Sequence, residues 1–556
     1  MKELSQEAIR LLQAIYKNRE TAFSDYFNAS LICHRKTAGH TSVSTIKPLL
    51  EELAQAKILK PSKKAFRSPQ YKLNVEAAQK IIEHEDEKTY LKEYRAELEE
   101  EIKKYKKFII TTAVMGKEAY KPFLESIKNY AKRNKALMLL LPCEDVASRG
   151  RKAAPIELSP ELSDFKVIFK DTYLNRNLCL CALKMSAKQI NPLSGLDRLT
   201  VQREASIIVA SPKVFLKYIP NMHYDVPPAL MTTGAITINN YDTDMYMSKR
   251  TSTLAENDHA YGAVIVEVES DNIFHFRHVQ ASSYGSLTDM GVDYLSDGSI
   301  KKMKDTVMVL GDSHTGYHDK ELYLTEMATA AENNVSTIVL HDVFNGASIS
   351  HHDNNKCITK AIKAQENRLN LEMECTAVKN YIKDIENRGF SVYIAKSNHD
   401  EHLLRYLEEG RYVSDPMNHK FSLKLAVQAI DGLDPLQFAI ENMLNYKSNN
   451  VHWLQPDRSQ KFYGVECSIH GSRGANGAKG SLMTFEKGIG NCVTAHTHTA
   501  AILRNVCSVG TSSLMNMGYN EGLSNWTRTC CLIYSNGTKQ LINFIPNEKE
   551  EYSCQI

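Results

Sequence analysis

Aspartate, asparagine and histidine residues collect at five places where an apolar run gives out. VMVL leads into GDSH with Asp312 and His314, STIVL into HDVFN with Asp342 and Asn345, and SVYIA into KSNHDEH with Asn398, His399 and Asp400. VECSI leads into HGSRG with His470, and NCVTA into HTHTA with His496 and His498. A pair of divalent ions needs such a set: a bridging carboxylate, neutral imidazoles, hard oxygen ligands, and open positions for water and a phosphate. Two ions ~4 Å apart lower the pKa of a shared water and neutralise charge developing on phosphate oxygens, which is the chemistry of phosphoester hydrolysis. A single His or Asp near a strand end is usually a surface or hydrogen-bonding residue. Five clusters in succession, each directly after an apolar run, are not accounted for in that way.

The apolar runs read as strands, and in an open α/β sheet the loops beyond the carboxyl ends of strands meet in one crevice however far apart they lie in the chain. Residues 299–556 are therefore expected to form the domain that carries the site. The stretch from Asn398 to His470 is longer than a simple crossover requires, so a helical insert near 401–460 is expected over the site. Upstream, residues 108–298 hold short apolar runs (FIITTA, ALMLLL, SIIVA, AITI, AVIVEV) between helical or polar segments, which predicts a middle α/β domain. It shows no phosphate-binding glycine fingerprint and no metal spacing, and a structural or oligomerising role is its default reading. Residues 84–107 carry dense charge of both signs, acids early and lysines late, as in an exposed linker helix aligned with its dipole.

The motifs in residues 299–556 resemble those of the calcineurin-like metallophosphoesterase family, which read DxH, GDxx(D/N), GNH(D/E), H and GHxH. Here they stand as Asp312-Ser-His314, His341-Asp342-Val-Phe-Asn345, Ser397-Asn398-His399-Asp400, His470 and Ala495-His496-Thr-His498. The resemblance implies a β-sandwich flanked by helices. It also implies that Asp312, His314, Asp342 and His498 hold one ion and that Asp342, Asn398, His470 and His496 hold the other, with Asp342 as the bridge. His399 would be the general acid or transition-state stabiliser, with Asp400 orienting its ring. The departures are at family glycines, replaced by His341, Ser397 and Ala495, so the backbone there must suit a residue with a side chain. His341 adds an imidazole beside the bridge that either faces the metals or packs.

The metal centre does not name the phosphoester. HDVFN is most similar to the GDLFH stretch of the SbcD-type double-strand-break repair nucleases, with Asn345 where that subfamily has histidine. Arg473 and Lys479, in the glycine-rich stretch after His470, are placed to meet backbone phosphates, or else belong to an ordinary surface loop. In residues 1–83, Ala8, Leu11, Leu12 and Ile15 share one helical face, a second helical stretch runs around Ala22 to Cys33, and Ile46, Leu49, Leu50 and Leu53 mark a third helix. That third helix accommodates Pro48 only in its first turn. Lys63, Lys64 and Arg67 then crowd a turn between two short strands. This pattern resembles a winged helix-turn-helix, a module that binds DNA or docks proteins.

The whole layout resembles the host-DNA-degrading nucleases of T5-like bacteriophages. That resemblance implies two Mn²⁺ ions, duplex DNA as substrate and partner, and the bacterial host cytoplasm; sites of this type also accept Zn²⁺ or Fe²⁺. Related repair nucleases work as dimers, so a homo-oligomer, dimer or higher, is expected. Rival readings are a phosphomonoesterase or cyclic nucleotide phosphodiesterase, and a DNA-binding regulator that keeps the phosphoesterase fold as a scaffold.

Composition agrees with a multidomain globular enzyme: 556 residues, 43% apolar and 24% charged, at a net charge of +3 that leaves any basic surface local. The amino-terminal residues lack a signal-peptide apolar core, and there is no apolar run of about eighteen residues that would span a membrane. The twelve cysteines form no CxxC pair and read as reduced core residues of a cytoplasmic protein.

Overall fold

Apolar spacing builds a small helical unit first. In the computed structural model, Ala8, Leu11, Leu12 and Ile15 line the buried face of a helix over Gln6–Lys17, whose cap Ser5 accepts a hydrogen bond from the Ala8 amide. The structure describes residues 4–19, 26–34, 42–62, 69–145, 157–222, 226–241, 246–353, 355–518, 520–547, 549 and 551–556. The chain divides into two compact units, Met1–Glu101 and Ile102–Ile556.

Two expectations for the first unit need correction. Among the described residues the second helix covers Ala29–His34, and Phe27, inside the expected helical stretch, instead pairs with Tyr71 as an extra rung beside the hairpin Leu59–Pro61/Tyr71–Leu73; the start of that stretch at Ala22 lies outside the described residues. The third helix starts at Val43, so Pro48 sits in its second turn. The missing amide costs one helical hydrogen bond, offset by burial of Ile46, Leu50 and Leu53 on either side. Lys63, Lys64 and Arg67 lie outside the described residues. Residues 84–102 of the charged segment are the later part of a helix over Val75–Ile102, and 103–107 lead out of it into the strand Lys107–Val114.

The second unit is a mixed α/β structure built on several sheets. Eight strands matter for the site: β1 (Thr306–Asp312), β2 (Val335–His341), β3 (Ser391–Ala395), β4 (Val451–Leu454), β5 (Cys492–Thr494), β6 (Val506–Ser508), β7 (Thr529–Ile533) and β8 (Lys539–Asn543). Six form one sheet in the order β4-β3-β2-β1-β7-β8. β1 to β4 run parallel, and β7 pairs antiparallel with β1. Parallel neighbours need crossovers, supplied by α1 (Lys320–Glu332) between β1 and β2 and by α2 (Leu371–Asn387) before β3. All seven residues of β1 are buried, as befits a central strand covered on both faces. Short helices, among them α3 (Glu401–Glu408) and His419–Ile430, fill the stretch before β4, which itself forms the sheet edge.

β5 and β6 belong to a second, ten-stranded sheet. That sheet continues through the pairing of Ala501–Leu503 with Phe215–Tyr218 into strands at 229–232, 206–209, 178–181 and 172–175. Residues of the expected middle domain and of the site-bearing domain thus share one hydrogen-bonded sheet. Fully buried Arg277 ties the same regions together. It donates to Asp289 Oδ1 at 2.7 Å, to Glu267 Oε1 at 3.1 Å and to the Cys554 carbonyl at 3.1 Å.

Glu326 on α1 is fully buried; Ser512 Oγ donates to its Oε1 at 2.5 Å, and Oε2 has no hydrogen-bond partner. Burial pushes its carboxyl up to about 8. A folded-state pKa above the ordinary 4.5 gives stability that is present in acid and is lost as pH rises from about 4.5 to about 8. Glu326→Gln should therefore melt several degrees above wild type at pH 8, with the difference gone by pH 4.5; thermal unfolding across that range is the check, and equal melting at pH 8 would contradict it.

Candidate metal centre

β1 ends on Asp312, and its backbone is held from both sides. Gly311 allows the Thr511 backbone to approach, since a Cβ there would meet Thr511 Cα at 2.7 Å. Asp312 N donates to Gly510 O at 3.2 Å, and its carbonyl accepts from Ser512 N and Thr511 Oγ1, each at 3.0 Å. Beyond the strand ends, the loops after β1 and β2 stay zipped: Ser313 N donates to His341 O, and His314 N to Asp342 O at 2.7 Å. His314, Asp342, His496 and His498 all have positive φ, at 44°, 45°, 73° and 54°. Side chains with a Cβ pay for that conformation, and four such residues in one crevice mark a place where aim takes precedence over backbone comfort.

The side chains converge. One donor atom from each of Asp312, His314, Asp342 and His498 lies within 4.8 Å of the others, and all four residues are buried. His498 Nε2 is 3.2 Å from Asp312 Oδ2, His314 Nε2 is 3.6 Å from Asp342 Oδ2, and the two Nε2 atoms face each other at 3.0 Å. On the other side of Asp342, His470 Nε2 lies 3.5 Å from Oδ1 and 2.9 Å from Asn398 Oδ1, and the His496 ring is 5.1 Å from the His470 ring. All seven sequence-identified ligand candidates are therefore neighbours, four of them as a tight group and three beside it.

These residues fit a cation. Among the described residues neither oxygen of Asp312 or of Asp342 has a well-aligned hydrogen-bond partner, the nearest ring nitrogen being His498 Nε2 at 3.2 Å from Asp312 Oδ2, although both carboxylates are almost wholly inaccessible. Burying an unpaired carboxylate costs several kcal/mol, and two side by side also repel. Ligands ~2.1 Å from a shared ion stand roughly 3–4 Å apart, which matches the separations in the group of four. Burial, and then the neighbouring Asp342 charge, push Asp312 up to about 6. Burial acts the same way on Asp342, but His470, His399 and His314 outweigh it and hold that carboxyl well below the usual range. Burial lowers His314 and His496, and takes His470 to about 3, so these imidazoles are neutral, as ligation requires.

Asn345 supports the site from behind. Its Oδ1 accepts from His314 Nδ1 at 3.0 Å, which leaves the His314 Nε2 lone pair facing the carboxylates, and its backbone carbonyl accepts from His399 Nδ1 at 3.0 Å. The expectation that Asp400 orients His399 therefore changes. Asp400 accepts instead from the Phe344 and Ser397 amides, each at 3.1 Å, and so ties the 342–345 and 397–400 loops together. Burial and the Asp342 charge push its carboxyl up to about 8. His341 is wholly buried with its ring 5.5 Å from that of His470 and, among the described residues, no hydrogen-bond partner for either nitrogen; burial lowers it to about 4. His341, Ser397 and Ala495 all avoid positive φ, so replacing glycine there brings no backbone strain.

Of the expected DNA contacts, Arg473 is ion-paired with Glu401 at 2.5 Å. Lys479 is exposed, pairs backbone-to-backbone with Arg473, and its charge helps to lower His496. Sequence reasoning placed Asn345 in the second motif without the supporting role it has here, and it missed Trp526, whose ring stands edge-on to His498 at 4.1 Å. Only the scarcity of tryptophan, two in the chain, offered a signal.

No family model matches the chain, and no solved structure matches it. The chain is 26% identical over 467 residues to Protein A1 of Escherichia phage T5, a match covering 80% of this chain and 83% of that protein.

If the buried carboxylates exist to hold a cation, removing one has opposite effects with and without metal. In EDTA at pH 7.5, above the raised Asp312 value of about 6, Asp312→Asn should melt higher than wild type. Added Mn²⁺ should raise the wild-type midpoint by several degrees and the variant's by clearly less, since only the ion that Asp312 does not ligate keeps its full ligand set. Calorimetry of both proteins in both buffers decides it, and an equal Mn²⁺ shift in the variant would remove Asp312 from the ligand set.

Proposed function

We propose that the chain is a metal-dependent deoxyribonuclease that hydrolyses phosphodiester bonds at a dinuclear centre on a calcineurin-like sandwich. The observation that carries the reading is the meeting of Asp312, His314, Asp342 and His498 around a space bordered by four buried carboxylate oxygens that, among the described residues, have imidazole nitrogens close by and no well-aligned hydrogen-bond partner. Asn398, His470 and His496 lie next to it, on the side where the second ion of that family would sit. The two sheets, with β1 to β3 delivering one set of ligands and the strands Val465–Glu466 and β5 the other, are in keeping with a sandwich.

Asp312, His314, Asp342 and His498 would hold one ion and Asp342, Asn398, His470 and His496 the other, with Mn²⁺ as the working metal. Bound there, the ions supply an acidified water and neutralise charge on phosphate oxygens. The chain's own residues do the rest. Asn345 holds the His314 and His399 rings through their Nδ1 atoms. With Nδ1–H held by the Asn345 carbonyl, the doubly protonated His399 ring presents a second proton on Nε2, on the opposite ring edge, and this is the proton given to the leaving oxygen or hydrogen-bonded to it in the transition state. The His314 and His399 rings meet edge-on at 4.6 Å, which places that proton donor directly beside the ligand group.

DNA is the proposed substrate, on the strength of the repair-nuclease-like second motif, the small helical unit with its hairpin, and the similarity to a bacteriophage protein. In that setting the enzyme would degrade host chromosomal DNA in the bacterial cytoplasm during infection and work as a dimer or larger assembly. Among the described residues no helix is long and apolar enough to cross a membrane. The small unit would act as a winged helix presenting Lys63, Lys64 and Arg67 to the duplex.

Linear duplex DNA, a chromogenic phosphodiester and a phosphoprotein, each incubated with Mn²⁺ or with EDTA, separate the readings. The nuclease reading expects DNA loss with Mn²⁺ only. A DNA-binding regulator would bind without turnover, and a small-molecule esterase would spare DNA. His399→Ala should keep its metal and lose roughly 10²-fold or more in turnover; loss of metal with full activity per bound ion would reassign His399 as a ligand.

A further inference from the structure

A file of imidazoles leaves the metal site on the His399 side. The His402 ring lies 4.7 Å from that of His399, His351 5.7 Å from His402, and His352 3.8 Å from His351. His399, His402 and His351 are partly buried and His352 is exposed, so the file runs from the site to the surface. None of the last three was singled out by motif or spacing.

The support for this file is specific. Gly346 packs its backbone directly on His402, where a Cβ would stand 3.1 Å from Nδ1. The loop that follows is held by Glu374, which accepts from the Ala347 and Ser348 amides at 2.9 Å each, by Lys363 donating to Ala347 O at 2.9 Å, and by Arg411 donating to Ile349 O at 2.6 Å. Nearby acids are already engaged: Asp353 with Lys363 at 2.6 Å, Glu409 with Arg411 at 2.8 Å, and Glu401 with Arg473. Among the described residues, none of the three rings is ion-paired with a carboxylate. The Arg405 side chain is 57% exposed and stands 3.8 Å from Glu409, which Arg411 holds more closely at 2.8 Å, and its charge bears on both His351 and His402. The result is a row of ring N–H donors beside guanidinium charge, beginning at the proposed proton donor. A small phosphoester has no group to reach such a row, whereas a polynucleotide carries a phosphate at every step away from the scissile one.

We infer that His402, His351 and His352, with Arg405, form a track that holds backbone phosphates flanking the scissile phosphate. The inference rests on the nuclease reading above and deepens it, because it makes the track, not the metal centre, the source of preference for polymeric substrate. The test compares wild type with two double variants, His351→Ala/His402→Ala and His352→Ala/Arg405→Ala, the second confined to exposed positions that folding tolerates. For each, kcat/KM is measured with Mn²⁺ on linear duplex DNA and on bis(p-nitrophenyl) phosphate, and DNA affinity is measured by fluorescence anisotropy in EDTA. Both variants should lose roughly tenfold on DNA and in metal-free affinity and stay within about twofold on the small diester. Parallel loss on both substrates, or unchanged DNA affinity, overturns the track. Wild-type protein that hydrolyses the small diester and leaves DNA intact overturns the nuclease reading itself, and the track with it.

Discussion

Two carboxylates buried side by side, with only the imidazoles of the site near their oxygens, are the constraint around which this protein is organised. Asp312 and Asp342 cannot both keep a charge in that space at ordinary cost, and their split in proton affinity, one raised and the other lowered, expresses the conflict. Folded chains rarely leave such groups unpaired unless something else completes them. Positive charge placed between them turns the least favourable feature of the fold into its best-satisfied one. Burial then serves the chemistry as well, because it keeps His314, His470 and His496 neutral and able to ligate.

Bringing the donors together takes more than one sheet. β1, β2 and β3 deliver Asp312, His314, Asp342 and Asn398 from their carboxyl ends, and the strands of the second sheet deliver His470, His496 and His498. The contact between them is close: Gly311 lies against Thr511, and Gly471, at φ 116°, has room for a Cβ only 3.0 Å from the Ala495 carbonyl. Strain at His314, Asp342, His496 and His498 is tolerated because the backbone on each side is hydrogen-bonded, as where the Thr527 amide donates to His498 O at 2.9 Å. Residues far upstream share in that rigidity through the strand pairing of Phe215–Tyr218 with Ala501–Leu503.

Much of the site was legible in the sequence because donor residues after apolar runs carry local information. A strand that stops at Asp312 or His341 announces its end by composition, and the order of clusters along the chain narrows the chemistry. What escaped detection was non-local or carried by the backbone. Asn345 orients His399 through a carbonyl that every residue possesses, so no residue type could signal it. Asp400 was assigned to the wrong partner because adjacency in sequence says nothing about which way a carboxylate turns at the start of a helix. The same holds for the fold. Four of the five apolar runs in 108–298 are strands, while AITI at 235–238 makes only isolated bridges, and nothing in SIIV or FLKY tells that these strands share a sheet with 501–503. Pro48 looked like a helix start, and packing of its neighbours carried the helix two turns around it.

The central claim is that these residues enclose a pair of cations with Asp342 between them. Elemental analysis of protein dialysed against Mn²⁺ and then against metal-free buffer tests it most directly. The account predicts close to two retained ions per chain in wild type and close to none in Asp342→Ala, whose loss removes the shared ligand. Wild type that retains no transition metal, or an Asp342→Ala variant that retains as much as wild type, would contradict it.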